Sequence, residues 1–416
     1  MLIDERKRRR SFFPILLTYF LDNFGLAIIY PIFTPLILKS THGIFSSTAP
    51  YYERTVFLGM LIAVFPLAQF FGAPLIGQFS DKFGRKRAFY ITILGTALGY
   101  TFTSVSIMED SFVGLFISRF CTGLFAGNLT ICLAAIADMS PDDVSRAKNF
   151  GQIGAIGGLS FIIAIAFGGI FSDPQISRHF NPSFPFWITA FLSYINLICM
   201  ILLFHETHPP SKRPGSNPFK GIHNIILGLQ SKELRVIYAV NFLFMFSWVA
   251  AMQFFPTFLL LSYKFQTVDI TLCLMAIGAL WSMTNMFINR WLAKRFFPGR
   301  TLLCSLFLIS ILLLFTLFSS RPLLFLSLFF PTVCCASLCW TNGVATISLK
   351  APASIQGSIL GINQSMNSFA AMLSPILGGI LIALNKHAIY LVGGVLTLFA
   401  FALLMSYRAY DEHHHG

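Results

Sequence analysis

Residues 56–107 read VFLGMLIAVFPLAQFFGAPLIGQFSDKFGRKRAFYITILGTALGYTFTSVSI. Two long apolar runs, 56–79 and 87–107, flank a short polar loop that carries Lys82, Arg85, Lys86 and Arg87. A helix needs about 20 mostly apolar residues to cross a bilayer, and each run meets that length. Neither alternates apolar with polar residues, as a membrane-barrel strand would. The stretch therefore predicts a hairpin of two membrane-crossing helices, with its basic loop on the cytoplasmic side.

The same reading extends in both directions and gives twelve spans, at 12–38, 56–79, 87–107, 112–137, 148–171, 185–205, 234–262, 268–289, 301–319, 322–348, 356–384 and 388–408. Composition agrees. Of 416 residues, 56% are hydrophobic and 11% are charged, against about 25% charged in an ordinary soluble domain. So apolar a chain excludes a soluble enzyme, a disordered chain and a nucleic-acid-binding domain.

The net charge of +13 is explained by topology. With the N-terminal run Arg6, Lys7, Arg8, Arg9 and Arg10 placed inside, 22 basic residues fall on the cytoplasmic side and 6 outside, and Arg119 remains within a span. That asymmetry is the positive-inside pattern, with both termini cytoplasmic. It leaves no excess that points to a nucleic-acid partner. The first span is no cleaved signal peptide, since its apolar stretch is too long, holds Asp22 and lacks a small-residue cleavage site. All eight cysteines lie within spans and imply no disulfide framework. Cys335 and Cys339 share a helix face, either as small packing residues or as a soft-metal pair, and no metal site is assigned. No role is placed on His413, His414 and His415.

The chain divides into an N-terminal six-helix half (1–205), a cytoplasmic linker (206–232) and a C-terminal six-helix half (233–416) with a short cytoplasmic tail. Pro209, Pro210, Pro214, Gly215 and Pro218 mark the linker. Ile222, Ile225, Ile226 and Leu229 recur there at helical spacing, which fits either a helix along the membrane surface or a loose connector. The halves echo each other: Gly168-Gly169 closes span five, and Gly378-Gly379 stands in span eleven 210 residues later. The expected fold is an all-α membrane protein of twelve transmembrane helices in two pseudo-symmetric six-helix halves. That is an alternating-access architecture, with its substrate site between the halves.

Charges at membrane depth are costly and mark function by default. Asp22 lies about ten residues into span one, near the mid-plane at about 1.5 Å per residue. Arg119 lies about seven residues into span four from the outer side, at a comparable depth. The functional reading makes Asp22 the group that takes and releases a proton and Arg119 the group that tunes it or faces the substrate. The alternative is a static ion pair. The second half offers amides and aromatics: Asn241, Trp248, Gln253, Trp281, Asn285, Trp340, Asn342, Asn363, Gln364 and Asn367. With Asn128 of span four they are candidates for an amide- and aromatic-lined cavity suited to a planar or amphiphilic organic solute. Each taken singly is as well explained by helix–helix hydrogen bonding.

The loop Gly77-Gln-Phe-Ser-Asp81-Lys82-Phe-Gly84-Arg85-Lys86 resembles the loop motif of the major facilitator superfamily, Gly-x-x-x-Asp-Arg/Lys-x-Gly-Arg-Arg/Lys, in its place between spans two and three. Leu21-Asp22 with Gly25 and Pro31, Arg119-x-x-x-Gly123, Ala137-Asp138, Arg146-Ala147 and Phe150-Gly151 resemble the drug/proton antiporter branch, of the tetracycline-efflux type. Pro185-Phe186-Trp187 and His205-Glu206-Thr207-His208 are similar to that type as well. The resemblance implies the major facilitator fold and a conformational latch built from Gly77, Asp81, Gly84, Arg85 and Asp138. In it Asp81 meets the N-terminus of span eleven, where the helix dipole favours an acid. Arg85 pairs with Asp138, Gly77 lets helices approach closely, and the contacts hold the outward-facing state. One departure stands out. The antiporter signature of span five ends Gly-Pro-x-x-Gly-Gly, and here Ala164 and Ile165 occupy the Gly-Pro positions before Gly168-Gly169.

The function expected is secondary active transport across the bacterial inner membrane, proton-coupled, exporting a small organic solute by antiport. The departure in span five keeps the alternative open, uptake of a metabolite or metal chelate by proton symport. No phosphate-binding Gly-x-x-x-x-Gly-Lys-Ser/Thr motif is present, so the proton gradient is the expected energy source, with no cofactor. No cluster of Ser with His or Lys, paired Asp, or His-Glu-x-x-His lies at depth, so an enzyme is not expected. The protein is expected to act as a monomer, with substrate, protons and the lipid bilayer as its partners.

Overall fold

The structure is a computed structural model and describes residues 5–38, 44, 50–139, 143–207, 234–350 and 356–415. The linker lies outside the described residues from position 208 onward, as do the side chains of Asp81 and Gln364. Among the described residues the chain is helical, with no strand. This follows from the bilayer. Lipid offers no hydrogen bonds to the backbone, so a crossing segment must satisfy its own N–H and C=O groups.

The first span forms α1 (Glu5–Ala27) and α2 (Ile29–Leu38), which meet at a turn at Ile28. Spans two and three form α3 (Tyr51–Phe83) and α4 (Arg85–Met108), with Gly84 between them. The fourth span is interrupted, as α5 (Phe112–Phe125) and α6 (Asn128–Met139). Then come α7 (Asp143–Phe171) and α8 (Phe184–Leu203). The seventh span is again in two pieces, α9 (Arg235–Gln253) and α10 (Phe255–Tyr263). The eighth runs as α11 (Thr267–Met283), a π-helical segment (Thr284–Asn289) and α12 (Arg290–Ala293). The last four are α13 (Pro298–Phe315), α14 (Pro322–Lys350), α15 (Gln356–Leu384) and α16 (Ala388–His415). Among the described residues, ten helical stretches are long and apolar enough to cross a membrane, and shorter apolar helices stand at Phe112–Phe125 and Ile156–Phe171.

The chain clusters into two compact units, 1–49 with 64–220, and 50–63 with 221–416. In the first, α1 packs on α6, α7 and α8, and α4 packs on α5 and α8. Its core joins Ile15, Phe89, Ile93, Ile131, Ile136 and Phe204. In the second, α9 packs on α15 and α16, and α13 packs on α14 and α16.

The second unit includes the first turns of α3 because small residues let two helices touch there. A Cβ on Gly59 would lie 2.5 Å from the Pro375 carbonyl oxygen, and one on Gly379 would lie 2.9 Å from the Thr55 carbonyl oxygen. Gly77 behaves differently. A Cβ there would meet no atom of the described residues within 4 Å.

The span-five departure has a structural counterpart. Ala164 and Ile165 are buried within α7, which runs unbroken from Asp143 to Phe171. Proline would have removed a backbone donor and bent the helix. The surviving Gly168 lies against Ile28 and Pro31, at the turn that divides span one.

Candidate functional site

Asp22 lies on α1, half-buried. Its carboxylate accepts a hydrogen bond from Asn128 Nδ2 at 3.0 Å. The Asn128 backbone N–H also faces that carboxylate. Asn128 is the first residue of α6 and is fully buried. It reaches Asp22 because the fourth span is interrupted. Ala126 leaves the helical region with φ −81° and ψ 56°, and α5 ends one residue earlier. Gln69 Nε2 of α3 donates to the Ala126 carbonyl at 2.5 Å. The break thus acquires a partner, as irregular backbone at membrane depth requires. Asn128, a cavity candidate by sequence, is in the structure the hydrogen-bond partner of Asp22.

Arg119 is placed by the Arg-x-x-x-Gly spacing. Gly123, one turn along α5, has room for no side chain against the Phe65 carbonyl and Ala68 of α3. With the helices that close, the Arg119 guanidinium lies over the Phe65 ring at 4.4 Å and near Phe33 at 5.6 Å. The residue is 0% exposed, and none of its three guanidinium nitrogens has a hydrogen-bond partner among the described residues. A static ion pair with Asp22 is therefore not what the structure contains. Tyr100 of α4 lies near enough to both charges for each to act on its phenol. Gly25, on α1, makes room for the Tyr100 hydroxyl, where a Cβ would collide.

Two further contacts fix α1. Ser160 Oγ of α7 donates to the Phe20 carbonyl at 2.5 Å, and Asn196 Nδ2 of α8 donates to Thr18 Oγ1 at 2.9 Å. Asp22 thus sits on a helix held by neutral hydrogen bonds on both sides.

At the far end of the same unit, Arg85 Nε donates to Asp138 Oδ2 at 3.3 Å, and Arg85 Nη1 donates to Ser80 Oγ at 2.9 Å. Arg85 and Asp138 therefore meet as the loop motif implies. The sequence reading missed Glu206 here. Its carboxylate accepts from the backbone N–H of Arg85 at 2.9 Å and of Lys86 at 3.1 Å, at the exposed N-terminus of α4. An acid at that position satisfies free N–H groups and the helix dipole together. Gly84, with φ +97°, leaves the space, because a Cβ there would strike the Glu206 carboxylate. Thr207 adds a weaker contact to Asp138 at 3.4 Å. The signal available beforehand was His205-Glu206-Thr207 closing span six.

In the second unit the amides mostly bond to each other or to neighbouring helices. Asn285, in the π-helical segment, donates to Ser337 Oγ at 2.6 Å and accepts from Thr341 Oγ1 at 2.6 Å. Asn342 donates to Asn289 at 2.9 Å, and Asn241 donates to Asn363 at 3.2 Å. Trp248 and Trp281 stack at 5.6 Å, and Phe329 extends the stack from Trp248. Trp340 is half-buried on α14. The expected open set of amides is thus narrower. Only Gln253 Oε1 and Asn367 Oδ1 of this group keep a buried acceptor without a partner among the described residues.

Comparison with known proteins matches this arrangement to one superfamily. The sequence profile described as "Major Facilitator Superfamily" matches residues 15–303 and 284–416. The tetracycline resistance protein of class H from Pasteurella multocida is 32% identical over 198 residues, covering 48% of this chain and 45% of that protein. The class G protein from Vibrio anguillarum is 28% identical over 299 residues, 71% of each. For the first of these relatives the match spans about half of the relative's length. Among solved structures, the human organic anion transporter MFSD10 superposes with TM-score 0.66 at 19% identity, covering 95% of this chain and 99% of that one. A D-xylose–proton symporter superposes with TM-score 0.73 at 13% identity, covering 95% and 96%. At such identities the structures establish the fold alone.

Proposed function

The chain belongs to the Major Facilitator Superfamily, and from that premise we propose that it exports a small amphiphilic organic solute in exchange for protons, across a bacterial inner membrane with both termini in the cytoplasm. That it is a multi-pass membrane transporter and no enzyme follows from the family. Export rests on the resemblance to tetracycline resistance proteins.

The observation that carries the proton reading is the setting of Asp22. It is the one acid well inside a span, half-buried, with Asn128 as its hydrogen-bonding side chain. A carboxylate whose hydrogen bonds come from a neutral amide can be neutralised by a proton without breaking an ion pair. A single such group suffices to carry one proton per cycle. Sodium would need several oxygen ligands around it, and the contacts at Asp22 are donors. No resident cofactor enters this mechanism, and a monomer completes it.

Arg119 supplies a fixed positive charge on the same unit. Tyr100 lies within its reach and that of Asp22, since both charges act on the phenol. The latch of Arg85 and Asp138, with Glu206 on the α4 N-terminus, ties the ends of spans three, four and six. Asp81 completes it toward span eleven in this proposal.

A second reading, uptake by proton symport, is favoured by one feature: α7 is unbroken where antiporters carry Gly-Pro. Reconstitution in proteoliposomes with an imposed pH gradient and a panel of organic solutes separates the two. Export predicts solute movement against the proton flow. Symport predicts both in the same direction.

A further inference from the structure

The interruption of the fourth span is the feature that the transport reading leaves unused. A continuous helix through Ala126 and Gly127 would bond the Asn128 N–H to the carbonyl four residues back. The break frees that N–H, which faces the Asp22 carboxylate. Asn128 Nδ2 adds a second donor at 3.0 Å. The other end of the same amide, Oδ1, is buried and has no partner among the described residues. An unused buried acceptor is costly, so its retention asks for a reason.

The chemistry of a carboxyl group supplies one. Charged, Asp22 only accepts hydrogen bonds; protonated, it becomes a donor through its O–H. An amide serves both forms, with two N–H donors at one end and a carbonyl acceptor at the other. A half-turn about the terminal torsion of Asn128 exchanges the two ends. The exchange itself is simple: the Asp22 carboxylate plus a proton from water gives the carboxylic acid, and the reverse returns the proton to water.

We propose that Asn128, set at the start of α6 by the break in the fourth span, is the positioning residue for proton exchange at Asp22, its Nδ2 serving the carboxylate and its Oδ1 the acid. This rests on Asp22 being the proton carrier. It makes Gln69, which holds the Ala126 carbonyl, a support for the break. The titratable groups near enough to feel the Asp22 charge are Tyr19 on its own helix, Tyr100 on α4 and Cys132 on α6. Arg119 acts on Tyr100 in turn. The helices α7 and α8 bring Ser160 and Asn196 to α1, neither of which titrates. Among the described residues, Asn128 is the side chain that hydrogen-bonds to the Asp22 carboxyl.

The test is the pH profile of gradient-driven solute transport in proteoliposomes for the full chain, Asn128→Leu, Asn128→Ser and Asp22→Asn, with the carboxylic-acid C=O stretch followed by infrared difference spectroscopy. Asn128→Leu is expected to lose about tenfold in rate and to move the half-maximal pH upward by about one unit, since its side chain no longer donates to the carboxylate. It should also shift the acid C=O band that Asp22→Asn removes. Asn128→Ser, which keeps a donor and an acceptor, is expected to restore part of both and serves if the leucine variant does not fold. A wild-type pH midpoint and an unmoved C=O band in Asn128→Leu or, if that variant does not fold, in Asn128→Ser, with Asp22→Asn inactive, overturn the role of Asn128 alone. Normal coupling in Asp22→Asn overturns the proton-carrier reading and this inference together.

Discussion

Asn128 Nδ2 lies 3.0 Å from Asp22 Oδ1, across 106 residues of sequence. This contact joins the acid of span one to the interruption of span four. The other charge at that depth, Arg119, is left on aromatic rings.

Arg119 is a fully buried cation with no hydrogen-bond partner among the described residues. Burying an ion carries a desolvation penalty of several kcal/mol, and no hydrogen bond among the described residues offsets it here. Arg119→Met is therefore expected to melt at or above the wild-type temperature while losing most of its transport. Thermal unfolding in detergent, paired with a flux assay, checks this; a lower melting temperature contradicts it.

The Arg85–Asp138 pair is partly solvent-exposed, with side-chain exposures of 10% and 26%. Pairs of this kind contribute roughly 0–1 kcal/mol. A double-mutant cycle of Arg85→Gln and Asp138→Asn should thus give a small coupling in stability, under about 1 kcal/mol. Transport should fall several-fold in each single variant, because the latch acts in the conformational cycle. Unimpaired transport in both single variants contradicts the latch.

Glycines 59 and 77 share the helix α3 and are expected to respond in opposite ways. Gly59→Ala forces its methyl toward the Pro375 carbonyl, which would stand at 2.5 Å. Overpacking of this kind costs about 1–3 kcal/mol. Gly77→Ala meets no described atom within 4 Å and should melt like wild type. Equal melting temperatures for the two variants would show that the Gly59 contact is not formed.

Asn285 donates to Ser337 and accepts from Thr341, between the eighth and tenth spans. Hydrogen bonds between membrane helices contribute about 0.6 kcal/mol on average, and at most about 1.7. Asn285→Ala is expected to destabilise by about 1 kcal/mol, with a smaller effect on substrate affinity than on melting. A large loss of affinity at wild-type stability would instead place Asn285 on the substrate.

Much of this was legible in the sequence, and the reasons differ by feature. Hydropathy is a local property, so the spans could be read directly, as could the loop from Gly77 to Lys86 with its contact from Arg85 to Asp138. The break after Phe125 left no such mark. Ala126 and Gly127 carry no proline, and the carbonyl freed there is taken by Gln69, 57 residues away. Glu206 escaped notice for a similar reason, since it caps a helix that begins 121 residues earlier. Residue type alone does not separate the two readings of the amides. Asn241, Asn285 and Asn342 look alike as candidates for a cavity, and only the partner helix shows that each is already bonded.

The central claim is that Asp22 carries the coupled proton. Its most direct measurement is substrate-evoked proton movement in proteoliposomes, followed with a pH-sensitive dye trapped in the lumen, for wild type and Asp22→Asn at equal reconstitution. The account predicts a substrate-dependent proton flux in wild type and none in Asp22→Asn, whose fold and substrate binding persist. A flux of wild-type size in Asp22→Asn contradicts it.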